Sequence, residues 1–323
     1  MAEERKYLYG PVPSRRLGLS LGVDIVPFKV CTLDCVYCQL GRTTEKTTER
    51  KDYVPPEAVL AELKEALAEG LEADFITISG SGEPTLNCRL GELIDGIKEI
   101  TNIPVAILTN GTLLFKQDVR ADCAKADVVL PSLDAGDKET FEEINRPHED
   151  ISIENLISGL CVFRNEFAGQ IWLEVFLIKG LNTNAGQIAK IKNIIERIGA
   201  DKVQLNTVVR PTTYAGIKRA DTEQLEAIAA ELGKKCEVVA DFSLSRDGPA
   251  PVKCEPKPNS CGIKSKAEDV LSMLKRRPCS LDDICSGLGV GHDEAQEYIN
   301  GLQGRGVINS EEKDGKIFFK ALS

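Results

Sequence analysis

Apolar residues recur along the chain at two periods that take turns. Leu19, Leu21, Val23 and Ile25 alternate with small or polar neighbours, which is the period of a half-buried strand. Residues 75–78, 105–108, 128–130, 171–178 and 203–209 are short apolar runs rich in β-branched residues. Between them, residues 56–68, 90–100, 138–144, 153–167 and 185–198 place apolar side chains three and four apart, the spacing of an amphipathic helix. One strand followed by one helix, about six times, predicts a parallel α/β fold, because parallel strands need a crossover and a helix supplies it. Right-handed crossovers with helices on one side curve such a sheet into a partial (β/α)6 TIM-like barrel.

The pattern stops at residues 243–260, SLSRDGPAPVKCEPKPNS, where four prolines interrupt any periodicity. The expected organisation is a core domain over residues 1–242, a linker over 243–262 and a small domain over 263–323. In the last, Val270, Leu271 and Leu274, then Leu281, Ile284 and Leu288, then Ala295, Tyr298, Ile299 and Leu302 mark three short helices. Residues 306–308 and 316–319 flank an Asp314-Gly315 turn signal. Three helices and a hairpin resemble a winged helix-turn-helix.

Composition narrows the chemistry. The 323 residues hold 11 cysteines and 2 histidines, His148 and His292, so a Ser/His/Asp hydrolase or a multi-histidine metal site has little to be built from. The first residues, MAEERKYLYG, lead into no apolar segment, and no stretch approaches the roughly 18 apolar residues of a membrane span. A cytoplasmic, reducing location follows, where ligation by cysteine is a better expectation than disulfides. The net charge of −10 argues against nonspecific phosphate binding over the whole surface.

Cys31, Cys35 and Cys38 form a C-x3-C-x2-C pattern with Tyr37 before the last cysteine. Three thiolates from one loop can hold three irons of a [4Fe-4S] cube and leave the fourth without a protein ligand. A structural zinc wants four closed ligands, and neither histidine lies nearby to finish such a site; a zinc knuckle is the bland alternative. The loop resembles that of the radical S-adenosylmethionine (SAM) superfamily. Gly80-Ser81-Gly82-Glu83-Pro84, at the end of the second strand, resembles that superfamily's Gly-Gly-Glu motif with Ser81 intervening. The likeness spans about residues 19–240 and points to an uncharacterised branch near the wyosine-synthase-like and nitrogenase-cofactor-maturation enzymes.

The resemblance implies a [4Fe-4S] cluster on Cys31, Cys35 and Cys38, with SAM held near Tyr37, Gly80, Gly82, Glu83, Asn110 and Ser132. Glu83 would receive the methionine amino group. It further implies reductive cleavage of SAM, hydrogen abstraction from an RNA, a peptide or protein, or a metabolite, and a one-electron donor such as flavodoxin or ferredoxin. Asn110 and Ser132 stand equally well as turn or capping residues. Glu174, Asn206 and Arg210 fall on or beyond later strands, where packing pairs compete with a place in the cavity. Arg15 and Arg16 suit an acidic group or a surface ion pair. Cys236, Cys254 and Cys261 bracket the linker and are candidates for an auxiliary cluster. Residues 263–323 carry 9 basic and 10 acidic side chains, and Asp293, Glu294 and Glu297 fall on the third helix, so duplex DNA is not the expected partner. A competing reading makes the cluster a redox sensor with the winged helix as its output.

Overall fold

The computed structural model describes residues 5–240, 266–313 and 315–322. Its first two strands, β1 (Leu8–Ser14) and β2 (Gly18–Val23), form an antiparallel hairpin. Two short parallel strands, β3 (Val30–Cys31) and β4 (Glu45–Lys46), flank the cysteine loop. The alternating series then runs α1 (Pro56–Ala68), β5 (Phe75–Ile78), α2 (Leu90–Ile100), β6 (Val105–Thr109), α3 (Gln117–Cys123) and β7 (Val128–Pro131). It continues through α4 (Lys138–Asn145), α5 (Ile153–Glu166), β8 (Gln170–Leu177), α6 (Ala185–Ile198), β9 (Lys202–Thr207), α7 (Thr222–Leu232) and β10 (Cys236–Val238).

These strands make one sheet in the order β1-β2-β5-β6-β7-β8-β9-β10, parallel throughout from β2 onward. Period-two alternation assigns its faces. On β8, Ile171, Leu173, Val175 and Leu177 join the main core with Leu63, Leu93, Ile97, Leu160 and Ile191 of the helices. Trp172 points the other way and packs with Leu17, Ala106, Val128 and Leu130. Phe176 on that second face meets Val36, Ile144, Ile178 and Val208, which places the cysteine loop over the C-terminal strand ends. Helices therefore cover one face, and the concave face carries a small apolar floor with polar residues above it.

Two strands and two helices extend the expected series. β1 carries Gly10, Pro11 and Pro13, which read as strand breakers; at a sheet edge the missing proline N–H costs no ladder bond. β10 is three residues long and α3 seven, too short for a period to emerge. α7 opens on the cap Asp221, whose side chain accepts from Gln224 N at 3.0 Å.

The C-terminal residues contribute α8 (Lys266–Arg276), β11 (Cys279–Ser280), α9 (Leu281–Leu288), α10 (His292–Gly304), β12 (Ile308–Lys313) and β13 (Lys316–Ala321). β11 and β12 pair antiparallel with either edge of β13. This unit has its own core of Val270, Leu274, Ile284, Ala295, Ile299, Leu302 and Phe319. A reciprocal cap between Ser280 and Asp283 starts α9. The expected linker lies outside the described residues. Among the described residues, no helix is long and apolar enough to cross a membrane.

Candidate active site

The cysteine loop leaves β3 at Cys31 and returns to β4, so its first sulfur is tied to the strand pair. Each of the three sulfurs meets one nitrogen donor. Lys29 Nζ lies 3.1 Å from Cys38 Sγ, Asn110 Nδ2 3.6 Å from Cys31 Sγ, and Asn145 Nδ2 3.5 Å from Cys35 Sγ. The donors come from three different elements: the start of β3, the end of β6 and the end of α4. Lys29 is buried and adopts a φ of 60°, a conformation that side chains other than glycine rarely take.

Burial pushes the Cys31 thiol up to about 12, with the charge of Glu83 adding to the effect. Burial likewise holds Cys35 well above the ordinary range, and Asp134 reinforces it. A bound cation would favour the thiolates of Cys31 and Cys35 against that burial, and three N–H donors aimed at sulfur suit thiolates better than thiols. Among the described residues, no three Cys, His, Asp or Glu side chains converge closely enough for one metal ion. A closed tetrahedral zinc site wants four ligands, whereas a cube can take three thiolates at separate corners.

Tyr37 docks the loop on the barrel. Its ring stacks on Phe176 with centroids 3.9 Å apart, and its hydroxyl donates to Asp134 Oδ2 at 2.5 Å. Asp134, just beyond β7, also accepts from Asn145 Nδ2 at 2.7 Å and Phe176 N at 3.0 Å. Burial pushes its carboxyl up to about 6 against the pull of those three donors. Behind the loop, Tyr214 Oη donates to Asp34 at 2.9 Å, and Thr213 donates to the Cys38 carbonyl from its N at 3.1 Å and its Oγ1 at 2.7 Å.

The glycine-rich turn lies against the same strand pair. Gly80 has a φ of +133°, and a Cβ there would sit 2.4 Å from Asp24 Cγ. At Gly82 a Cβ would sit 2.1 Å from the Val30 carbonyl oxygen. Lys29 N donates to Ser81 O at 2.7 Å, and Glu83 N to Val30 O at 3.0 Å, so turn and cysteine strand are stitched on both sides of Gly82. Glu83 is 2% exposed. Its Oε1 accepts from Thr85 N at 3.1 Å and from the hydroxyls of Thr85 and Thr109 at 2.6 Å each; Oε2 accepts from Asn110 N at 2.8 Å. One acceptor position on Oε2 is left for a further donor. Arg50 braces the following turn, donating to Thr85 O at 2.9 Å and Asn87 O at 3.1 Å while pairing with Asp118 and Asp122.

Thus Tyr37, Gly80, Gly82, Glu83 and Asn110 share one end of the sheet with the cysteines. Ser132 lies one strand further on, half-buried beside Glu174 and with no side-chain hydrogen bond among the described residues. Glu174 pairs with Arg16, and Arg210 with Asp283, so both take the packing-pair role. Asn206 caps its neighbour, accepting from Thr207 N at 3.0 Å. His148 faces Asp150 on the surface. Cys236 begins β10, while Cys254 and Cys261 lie outside the described residues. Lys29, Asn145, Asp24 and Arg50 were missed in the sequence reading. Each acts across a separation that no local motif records.

A family profile described as the Radical SAM superfamily matches residues 25–190, just over half of the chain. The chain belongs to the radical SAM superfamily. A UPF0026 protein of Methanocaldococcus jannaschii is 31% identical over 96% of this chain and 94% of its own length. A Brachyspira hyodysenteriae protein named GTPase Obg is 37% identical over 97% of this chain but only 45% of its own length, so the chain spans about half of that relative. Among solved structures, TYW1 with a lysine–pyruvate adduct bound superposes with a TM-score of 0.53 at 22% identity, over 66% of this chain and 72% of that one. SuiB of Streptococcus suis bound to precursor peptide SuiA superposes with a TM-score of 0.53 at 18% identity, over 67% and 48%. These likenesses place the sheet among radical SAM partial barrels. The protein is an enzyme of the radical SAM class, and such enzymes take a [4Fe-4S] cluster, SAM and an electron donor.

Proposed function

We propose that Cys31, Cys35 and Cys38 ligate the [4Fe-4S] cluster and that SAM binds between them and the turn at residues 80–83. The observation that carries this reading is one N–H donor on each cysteine sulfur. A cluster held there would supply one-electron reductive cleavage of SAM to methionine and a 5′-deoxyadenosyl radical, which would take hydrogen from substrate. The chain's own part is to hold and shield. Lys29, Asn110 and Asn145 compensate thiolate charge. Glu83 offers Oε2 to the amino group of SAM, and Ser132 offers its hydroxyl to the same ligand. Tyr37 and Phe176 close the loop side against water.

Residues 1–242 form the catalytic domain in this reading, 243–262 a linker, and 263–323 a winged helix-turn-helix whose third helix, α10, carries Asp293, Glu294 and Glu297. That acidity favours a structural or protein-docking role over duplex DNA. Flavodoxin or ferredoxin is the expected electron donor, and the substrate is an RNA, a peptide or protein, or a metabolite. Cys236, Cys254 and Cys261 are assigned to an auxiliary cluster only if replacing all three lowers iron content by about one cluster's worth and leaves the iron held by Cys31, Cys35 and Cys38.

The test is anaerobic reconstitution followed by dithionite and SAM, with 5′-deoxyadenosine measured by chromatography. Wild-type protein is expected to produce it and Cys35→Ala to lose both iron and product. A brown wild-type protein that forms none under several reductants would overturn the enzymatic reading. A Cys35→Ala variant with full cleavage would overturn the ligand assignment. Crude RNA and peptide pools that accelerate SAM consumption then identify the substrate class.

A further inference from the structure

Arg276, the last residue of α8, reaches out of its own unit into the barrel. Its Nη1 donates to Asp24 Oδ2 at 2.9 Å, and its guanidinium lies 4.0 Å from the centre of the Tyr9 ring. Both partners lead to the glycine-rich turn. Asp24 Oδ2 accepts from Ser81 N at 3.2 Å and from Ser81 Oγ at 2.6 Å. Tyr9, its ring laid against Gly22, shares a hydrogen bond of 2.6 Å with Ser79 Oγ. Two routes therefore run from one guanidinium to the residues on either side of Gly80. The Arg276 and Asp24 side chains are 19% and 11% exposed, so solvent screens the pair little.

A second ion pair fastens the C-terminal unit at the other end of the sheet. Arg210, beyond β9, donates to Asp283 of α9 at 3.0 Å. Asp24 follows β2 and Arg210 follows β9, second and seventh in the order of eight strands. α8 and α9 also pack against β1. The unit thus bridges the two flanks of the strand ends where the cysteine loop and the turn lie.

We propose that Arg276 is a positioning residue for the SAM cradle, and that docking of the C-terminal unit and binding of SAM are coupled through it. The inference rests on reading residues 80–83 as that cradle. A buried carboxylate deprived of its guanidinium is left with uncompensated charge and seeks water. Asp24 turning outward would release Ser81 and the backbone around Gly80. Linkage makes the effect reciprocal: a ligand that fixes the turn fixes Asp24 and Tyr9, and with them the α8 end.

The full-length reconstituted protein, Arg276→Ala and Arg276→Lys are compared by equilibrium dialysis with SAM and by hydrogen exchange of residues 79–83 and of α8. Arg276→Ala is expected to weaken SAM about tenfold, within the usual range of coupling between sites, at unchanged iron content. Arg276→Lys restores part of the affinity, keeping the charge but not the planar contact with Tyr9. Exchange at 79–83 accelerates in Arg276→Ala even in cluster-free protein, and SAM slows exchange of α8 in the wild type. Unchanged SAM affinity in Arg276→Ala, or α8 exchange indifferent to SAM, overturns the coupling. A wild type that binds no SAM overturns the cradle reading instead, and cluster-free exchange then still decides whether Arg276 holds residues 79–83. Should Arg276→Ala fail to fold, Arg210→Ala loosens the same unit without touching the cradle, and a several-fold loss of SAM affinity is expected from it; unchanged affinity there counts against the proposal.

Discussion

Alanine at Gly82 would place a methyl carbon 2.1 Å from the Val30 carbonyl oxygen and 3.0 Å from Val26 Cγ2. Carbon and carbonyl oxygen sit at about 3.3 Å at closest favourable approach, so the turn and β3 must separate by about 1 Å. The atom in the way is backbone, so no side-chain rotation relieves the contact. Overpacking of this kind costs about 1–3 kcal/mol. Its effect on chemistry is larger in the proposed reading, because Val30 precedes Cys31 and the displacement falls between the proposed cluster ligands and the proposed SAM turn; a 1 Å misplacement of reacting groups costs about 100-fold in rate. Gly82→Ala is therefore expected to lower the melting temperature by at least about 2 °C and 5′-deoxyadenosine formation by about two orders of magnitude. Gly301→Ala is the control, since α10 leaves open space at that position and alanine in a helix is favoured by about 1 kcal/mol. A Gly82→Ala protein with wild-type melting, iron content and cleavage would refute the claim that this close approach sets the site.

Three further outcomes are expected. Asn145→Asp replaces a donor to Cys35 with a second carboxylate beside buried Asp134, so iron retention on gel filtration should fall while Asn145→Gln keeps more of it. Tyr37→Phe retains the stack on Phe176 but removes one of three donors to Asp134; it should cost about 1–3 kcal/mol in chemical denaturation and leave SAM cleavage detectable. Gly80→Ala meets both a positive φ and the Asp24 carboxylate, and should destabilise more than alanine at Gly41, which shares a positive φ of 103° but has open space around it.

Much of the barrel was legible because its strands are buried on one or both faces and its helices are amphipathic. Helices at residues 56–68, 90–100 and 185–198 coincide with α1, α2 and α6 to the residue. The cysteines, the glycine turn and Asn110 could be picked out as candidates because they are local in sequence and lie at strand ends that share one side of the sheet. What escaped depends on backbone conformation or on tertiary contact. Lys29 reads as an ordinary surface lysine, yet its left-handed backbone turns it inward toward Cys38. Asn145 ends a helix, where asparagine is commonplace, and only the tertiary fold brings it to Cys35. Tyr9 likewise holds its place for a reason that no local pattern gives. The reason is a ring between Gly22 and Arg276, 267 positions away in sequence.

The strand ends also recast what the acidic residues are for. Asp24, Glu83 and Asp134 stand beyond β2, β5 and β7, where a hydrolytic enzyme of this architecture would keep its acids and bases. Here each is tied to neighbouring protein, with one acceptor position left on Glu83 Oε2. Asp24 carries Ser81 and Arg276; Glu83 carries Thr85, Thr109 and Asn110; Asp134 carries Tyr37, Asn145 and Phe176. Carboxylates so occupied make poor proton shuttles but good struts, and those of Glu83 and Asp134 hold Asn110 and Asn145, which donate to cysteine sulfurs. A reaction begun by an electron needs geometry and exclusion of water at its start more than it needs a base. The scarcity of histidine follows from the same logic: with no proton transfer to open the reaction, the residues selected at these strand ends are those that fix positions.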